Sequence, residues 1–197
     1  MLERRDIMTK LHGTKTEQNL INAFAGESQA RNRYSYFAKQ AKEEGYEQIS
    51  AIFLVTAENE KEHAKRFYEY LGNMRGHVDS EYPFELGTTE ENLKSAVEGE
   101  NEEAEILYSE AEKTAREEGF DKIADTFHYI SKAEKHHRDR YAKLLENVKN
   151  GTVFKKDKEI NWMCRECGFI CHSKCAPVKC PSCEHPQAYF QVQCEEY

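Results

Sequence analysis

An internal repeat constrains this chain more than any other feature. Lys39 to Phe53 reads KQAKEEGYEQISAIF and Lys113 to Phe127 reads KTAREEGFDKIADTF, with seven of fifteen positions identical at an offset of 74. Each copy turns at a glycine, Gly45 or Gly119, between stretches rich in Ala, Glu, Lys, Leu and Tyr. That is the composition of helices closed by a C-terminal glycine. Two helical hairpins of one design are expected, with Gly72 and Gly151 ending the second arm of each. Thr14 with Glu17, and Thr88 with Glu91, have capping-box spacing and open the first and third helices.

The hairpins are joined by residues 72–88, a connection holding Gly72, Gly76, Pro83 and Gly87. Fully extended, such a segment reaches roughly 56 Å, while a second helix of roughly 26 residues measures roughly 39 Å. The connection is long enough to run the length of a bundle. The prediction is an all-α four-helix bundle with a long crossover between helices 2 and 3, the ferritin-like connectivity.

The bundle does not use the whole chain of 197 residues. All seven cysteines lie between Cys164 and Cys194, and three of the four prolines follow Gly151. The expected division is an N-terminal tail over 1–13, the bundle over 14–151 and a cysteine module with its linker over 152–197. A net charge of −8 with no basic block argues against nucleic acid as a partner. No apolar run approaches the ~20 residues of a membrane span, and Met1-Leu2-Glu3-Arg4-Arg5-Asp6 lacks the apolar core of a signal peptide. A cytoplasmic location is expected.

The repeat also carries chemistry. Glu60 and His63 recur at the same offset as Glu134 and His137, each pair a Glu-x-x-His that presents both side chains on one helix face. The first helix adds Glu27 and the third adds Glu100 and Glu103. Helical stripes turn these acids inward: Glu60 lies with Phe53, Ala57, Ala64 and Phe67, and Glu134 with Phe127, Ile130, Tyr141 and Leu145. Glu27 lies with Leu20, Phe24, Ala30 and Tyr34, and Glu100 with Leu93, Ala96, Ala104 and Leu107. Glu58, Glu62, Lys61 and Lys135 rotate outward. Counted from the turn glycines, all seven inward groups stand roughly 22 to 29 Å along their helices, in one layer. Five carboxylates among apolar side chains cost several kcal/mol per ion unless cations compensate. Two divalent ions, or two oxide-bridged trivalent ions, nearly balance them. Oxygen-rich ligation with an imidazole or two suits iron or manganese better than zinc.

In the module, Cys164 and Cys167 form one Cys-x-x-Cys knuckle and Cys180 and Cys183 a second, with twelve residues between them. Four thiolates so spaced can enclose one tetrahedral ion, either zinc or iron. Cys171, Cys175 and Cys194 are left over, the first two, in the loop between the knuckles, as small buried hydrophobes, redox thiols or rival ligands.

On AFAGESQARNRY (23 to 34), ENEKEHAKR (58 to 66), GENEE (99 to 103), AEKHH (133 to 137), CRECG and CPSC, the sequence resembles the rubrerythrins from Thr16 nearly to its end. The resemblance implies a di-iron site ligated by Glu27, Glu60, His63, Glu100, Glu103, Glu134 and His137, with Tyr34 and Tyr108 beside it. It implies a rubredoxin-like β module holding Fe(Cys)4, and one iron that moves between Glu103 and His63 as its oxidation state changes. Cys171 and Cys175 depart from the family pattern. The activity implied is a peroxidase of oxidative-stress defence, reducing hydrogen peroxide to water with electrons from rubredoxin or an NAD(P)H-dependent reductase. A homodimer or higher homo-oligomer is implied, with the relay running between chains. The competing reading is a ferroxidase or iron-storage protein whose tail is stapled by zinc.

Overall fold

The computed structural model describes residues 10–195. Four rods form the bundle: α1 (Lys15–Glu43), α2 (Glu47–Leu71), a third made of α3 (Thr89–Glu102), a π segment (Glu103–Leu107) and α4 (Tyr108–Glu117), and α5 (Asp121–Lys149). Gly45, Gly119 and Gly151 follow their helices at φ of 84°, 81° and 62°, the left-handed conformation that lets a chain leave a helix without a Cβ clash. Thr88 and Glu91 close a complete capping box. The other box forms by half. Thr14 accepts the N–H of Glu17, but the Thr14 N–H is taken by the carbonyl of Leu11, so the Glu17 carboxylate accepts from Gly13 instead.

Residues 72–88 run along α1 without regular structure. The Asn22 side chain fixes them, donating to the carbonyl of Asp79 at 2.9 Å and accepting from its N–H at 3.0 Å. Gly76 passes so close to Ile21 that a Cβ there would sit 2.8 Å from Cδ1. The crossover ends at Thr89, whose N–H donates to Glu44 at the far end of α1. It therefore spans the bundle, and hairpins α1–α2 and α3/α4–α5 face each other across two apolar clusters.

One cluster gathers Leu11, Leu20, Phe67, Tyr108, Ile123 and Phe127. The other gathers Tyr34, Phe37, Ile49, Phe53, Leu93 and Tyr141. The polar layer lies between them. Residues 1–9 of the expected N-terminal tail lie outside the described residues. No helix among the described residues is long and apolar enough to cross a membrane.

After Gly151 the chain forms a three-stranded antiparallel sheet of order β2-β1-β3, with β1 at Lys155–Cys164, β2 at Ile170–Cys175 and β3 at Phe190–Val192. Trp162 and Phe190 are its buried centre. The module meets the bundle at the α1–α2 turn. Phe154 stacks on Tyr46 with ring centroids 6.2 Å apart, and Ala188 reaches within 3.7 Å of where a Gly45 Cβ would lie.

The interruption of the third rod changes one expected face. An α-helix continued from Glu100 turns Leu107 inward, but the π segment inserts an additional residue into the turn. Leu107 is rotated out to 45% exposure and Tyr108 takes the interior place at 3%.

Candidate metal centres

At mid-bundle the helix faces bring two sets of donors together. Glu27, Glu60, His63 and Glu134 form one, and Glu60, Glu100, Glu134 and His137 the other; within each set the donor atoms lie within 4.8 Å of one another. Glu60 and Glu134 belong to both and direct one oxygen to each side. His63 Nδ1 lies 2.8 Å from Glu134 Oε1 and 3.0 Å from Glu60 Oε2. His137 Nδ1 lies 2.8 Å from Glu134 Oε2 and 3.3 Å from Glu60 Oε1. The arrangement is a pseudo-twofold pair with shared bridging carboxylates, as the repeat at offset 74 requires.

Two tyrosines aim the terminal carboxylates. Tyr34 donates to Glu100 Oε1 at 2.7 Å, and Tyr108 donates to Glu27 Oε1 at 2.5 Å. Each phenol comes from the hairpin opposite to the carboxylate it holds, so the bonds clamp the two hairpins together across the layer. Burial and the neighbouring carboxylates push both hydroxyls well above the usual tyrosine range, which keeps them as donors.

The donor set fits two metal ions on an observation independent of any motif. Eight buried polar atoms of this one layer face one another at close range without an aligned hydrogen bond: Glu27 Oε2, both oxygens of Glu60 and of Glu134, Glu100 Oε2, and Nδ1 of His63 and His137. Burial without aligned partners costs several kcal/mol per charged group. Two cations satisfy all eight, and one imidazole with several carboxylates at each favours iron or manganese.

Without metal, the same groups share protons. Burial and the charge of Glu134 push Glu27 up to about 8. Burial opposes the charge on His137, yet Glu100, Glu134 and Glu60 hold it up to about 12. Glu134, opposed by burial but facing His137 and His63, is held down at about 2. Between 4.5 and about 8 the folded metal-free chain therefore keeps a proton on Glu27 that the unfolded chain has lost, and its stability falls as pH rises through that window. His137 extends the fall from 6.5 upward. Bound metal replaces these protons. The metal-free protein is expected to melt progressively lower from about pH 5 to pH 8, and the metal-loaded protein is not. Metal added at pH 7 in dilute buffer should release protons to an indicator dye; no release would show the groups already unprotonated.

Glu103, the seventh expected ligand, stands outside both sets. It opens the π segment, and its Oε1 would lie 3.8 Å from a Cβ at Gly26, beside the ring of Tyr82 from the crossover. Burial and the charges of Glu27 and Glu100 push its carboxyl well above the usual range. His63, by contrast, sits among the donors. One buried group escaped the sequence reading. The Arg33 guanidinium lies 5.5 Å over the Tyr34 ring, against which Tyr141, expected inward, packs edge-on at 5.6 Å. The π segment left a sequence signal, however. Seven residues separate Glu27 from Tyr34, whereas eight separate Glu100 from Tyr108. That additional residue is what a π turn absorbs.

In the module, the sulfurs of Cys164, Cys167, Cys180 and Cys183 converge within 4.8 Å of one another, with Cys164–Cys183 and Cys167–Cys180 each at 3.7 Å. The backbone N–H of Phe169, followed by neighbouring thiols and Ser182, holds the Cys167 thiol down to about 6. Four sulfurs in this arrangement suit tetrahedral zinc or iron. Cys171 stands opposite Trp162 in β2, Cys175 ends that strand, and Cys194 is exposed; none joins the cluster.

Comparison with known proteins agrees with both centres. Residues 18–145 match the family described as Rubrerythrin, and residues 162–191 match the rubredoxin-like domain of rubrerythrin. A rubrerythrin of Clostridium perfringens is 53% identical, covering 96% of this chain and all of its own, and one of Porphyromonas gingivalis is 48% identical, covering 99% and 98%. Among solved structures, nigerythrin in a mixed-valence state superposes with a TM-score of 0.62 at 30% identity, over 92% of this chain and 90% of its own.

Proposed function

Because this chain belongs to the rubrerythrin family, with a di-iron site in its bundle and a four-cysteine metal site in its tail, we propose that it reduces hydrogen peroxide to water. The observation that carries the reading is the pair of tyrosine-clamped donor sets sharing Glu60 and Glu134, in one chain with a four-sulfur site. Glu27, Glu60, His63, Glu100, Glu134 and His137 hold the irons, and Glu103 is the exchangeable seventh ligand. Two ferrous ions, when bound, supply one electron each to the O–O bond, so that no radical is released.

The chain's own residues do the rest. Tyr34 and Tyr108 keep the outer carboxylates aimed inward, and their hydroxyl protons stand at the layer where product oxygens take up protons. The phenylalanines above and below exclude bulk water and so strengthen each charge interaction between them. Glu103 can approach or leave without disturbing the six other groups, since it projects from the π segment beside Gly26 rather than from the packed faces. In this reading residues 14–151 form the catalytic unit and residues 152–197 the relay, following the tail over 1–13. Electrons come from rubredoxin or an NAD(P)H-dependent reductase, which places the reaction in the cytoplasm, and the relay crosses between chains of a homo-oligomer.

Protein purified without oxygen and loaded with iron is expected to be red from thiolate-to-iron charge transfer, to bleach on reduction, and to regain colour with one peroxide per two electrons. A colourless tail holding zinc, with iron oxidised and retained, would overturn this reading in favour of ferroxidase or storage. Glu103→Ala is expected to fold and keep its metal, because six ligands remain, while turnover with peroxide drops by about an order of magnitude or more. Turnover at the wild-type rate in that variant would rule out the ligand exchange.

A further inference from the structure

Hydrogen peroxide needs little room: a water molecule's share of the liquid is about 30 Å³, and peroxide, one oxygen larger, needs only modestly more. The cleft beside Glu103, between α1 and the α3/α4 rod and under the crossover, has a volume of 580 Å³. That lies in the range of organic-ligand sites, about 300 to 1,000 Å³. Its contents are not those of a water channel. Arg33 lines it at 7% exposure, with Nε and Nη1 unpartnered. A buried guanidinium with free donors is costly and calls for an acceptor oxygen, best a bidentate carboxylate. Gly99 faces it without a side chain; a Cβ there would come within 3.3 Å of Nη2. Five further acids on the same cleft, Glu81, Glu85, Glu98, Glu102 and Glu110, are all solvent-exposed, and Glu98 is paired to Lys94 at 3.8 Å, so water screens them from the buried arginine.

Position supplies the length. Arg33 lies seven residues along α1 from Gly26, roughly 10 Å by the helix rise, and Gly26 is where Glu103 and the ring of Tyr82 meet. Beyond Gly26 the wall offers apolar contact at Leu107 and Ala111, set among Asn19, Asn22 and Glu110, and the π segment carries Leu107 into the cleft. We propose that this cleft binds alkyl hydroperoxides that carry a carboxylate, the carboxylate on Arg33 and the hydroperoxide about 10 Å away, beside Gly26 and Glu103. An extended chain of about eight carbons bridges that distance. The reaction is ROOH + 2 e⁻ + 2 H⁺ → ROH + H₂O: the O–O bond breaks, the substrate takes two electrons, and the electrons come from the same reduced pyridine nucleotide and reductase. The inference rests on the peroxidase reading and extends it to this substrate class.

The test compares 9-hydroperoxynonanoate with the neutral tert-butyl hydroperoxide on the iron-loaded full chain. It also measures binding of the redox-inert 9-hydroxynonanoate by calorimetry. The wild type is expected to favour the carboxylate substrate through KM, and Arg33→Gln to lower the ratio of the two kcat/KM values at least tenfold. The same variant should lose 9-hydroxynonanoate binding, and Arg33→Lys should recover part of both. An unchanged ratio, no binding of 9-hydroxynonanoate to the wild type, or equal losses on both hydroperoxides through the Tyr34 contact would each overturn the assignment. Failure to reduce hydrogen peroxide itself would sink the peroxidase reading, while calorimetry would still report on the cleft.

Discussion

Replacing Glu134 by alanine is expected to strip the bundle of both metals. This carboxylate is fully buried and lies in both donor sets, its two oxygens each 2.8 Å from a different imidazole. Its removal takes one ligand from each ion at once, where loss of Glu27 or Glu100 would spare one side. The affinity loss should therefore exceed the 10–100-fold typical of deleting an outer hydrogen-bond partner, and peroxide turnover should fall to background. A matched control separates this from a general effect of removing acids. Glu58, two residues before Glu60, is 60% exposed and bonds Lys61 at 2.8 Å on the outer face; Glu58→Ala should leave the melting temperature nearly unchanged and the iron content at two. Metal analysis after gel filtration decides the matter. Two irons retained in Glu134→Ala would mean that the bridging role belongs to Glu60 alone.

The contrast between Glu134 and Glu58 is also a measure of what the sequence makes legible. Both are acids in Glu-rich helical stretches, and only the 3.6-residue period separates them, because Glu134 recurs with Phe127, Ile130 and Tyr141 while Glu58 does not. Period and repeat together identify four rods, the crossover and the polar layer, since each depends on local spacing. What local spacing does not encode is how a rod is deformed to meet its neighbour. The stripe through Glu100 predicts Leu107 inside, and the π segment puts Tyr108 there instead, where it reaches Glu27 on the opposite hairpin. The one-residue excess between Glu100 and Tyr108 was visible, but only its comparison with Glu27 and Tyr34 in the first hairpin gives it meaning. Arg33 was hidden for a related reason. An arginine among charged helix residues reads as a solvated side chain, and its burial follows from Gly99 on another rod. Likewise the four cysteines announce a metal site, whereas the docking of the module on Tyr46 depends on a long-range contact that no motif records.

That docking leads to the second large effect. The module rests against the α1–α2 turn at Gly45, and Glu60 lies fifteen residues along α2 from that turn, roughly 22 Å by the helix rise. An electron leaving the four-cysteine site of one chain therefore has the length of half a bundle to cross before reaching that chain's own carboxylate layer. A head-to-tail pairing, with one chain's module set against the flank of another chain's bundle, removes most of this distance. The consequence is a complementation that single-chain transfer cannot produce. Glu134→Ala disables the bundle and Cys180→Ala disables the tail, so each homo-oligomer should be inactive with peroxide and reductase. When the two are mixed under conditions that exchange subunits, one pairing in the mixed dimer joins an intact tail to an intact bundle on the partner. About a quarter of wild-type turnover is expected at equal mixing, because half the dimers are mixed and each has one working pair. The recovered activity should rise with the fraction of mixed dimer measured by mass spectrometry. No recovery in proven mixed dimers would place the relay within one chain, and would then require the aromatic contacts between Phe154, Tyr46 and the cluster around Phe53 to carry it.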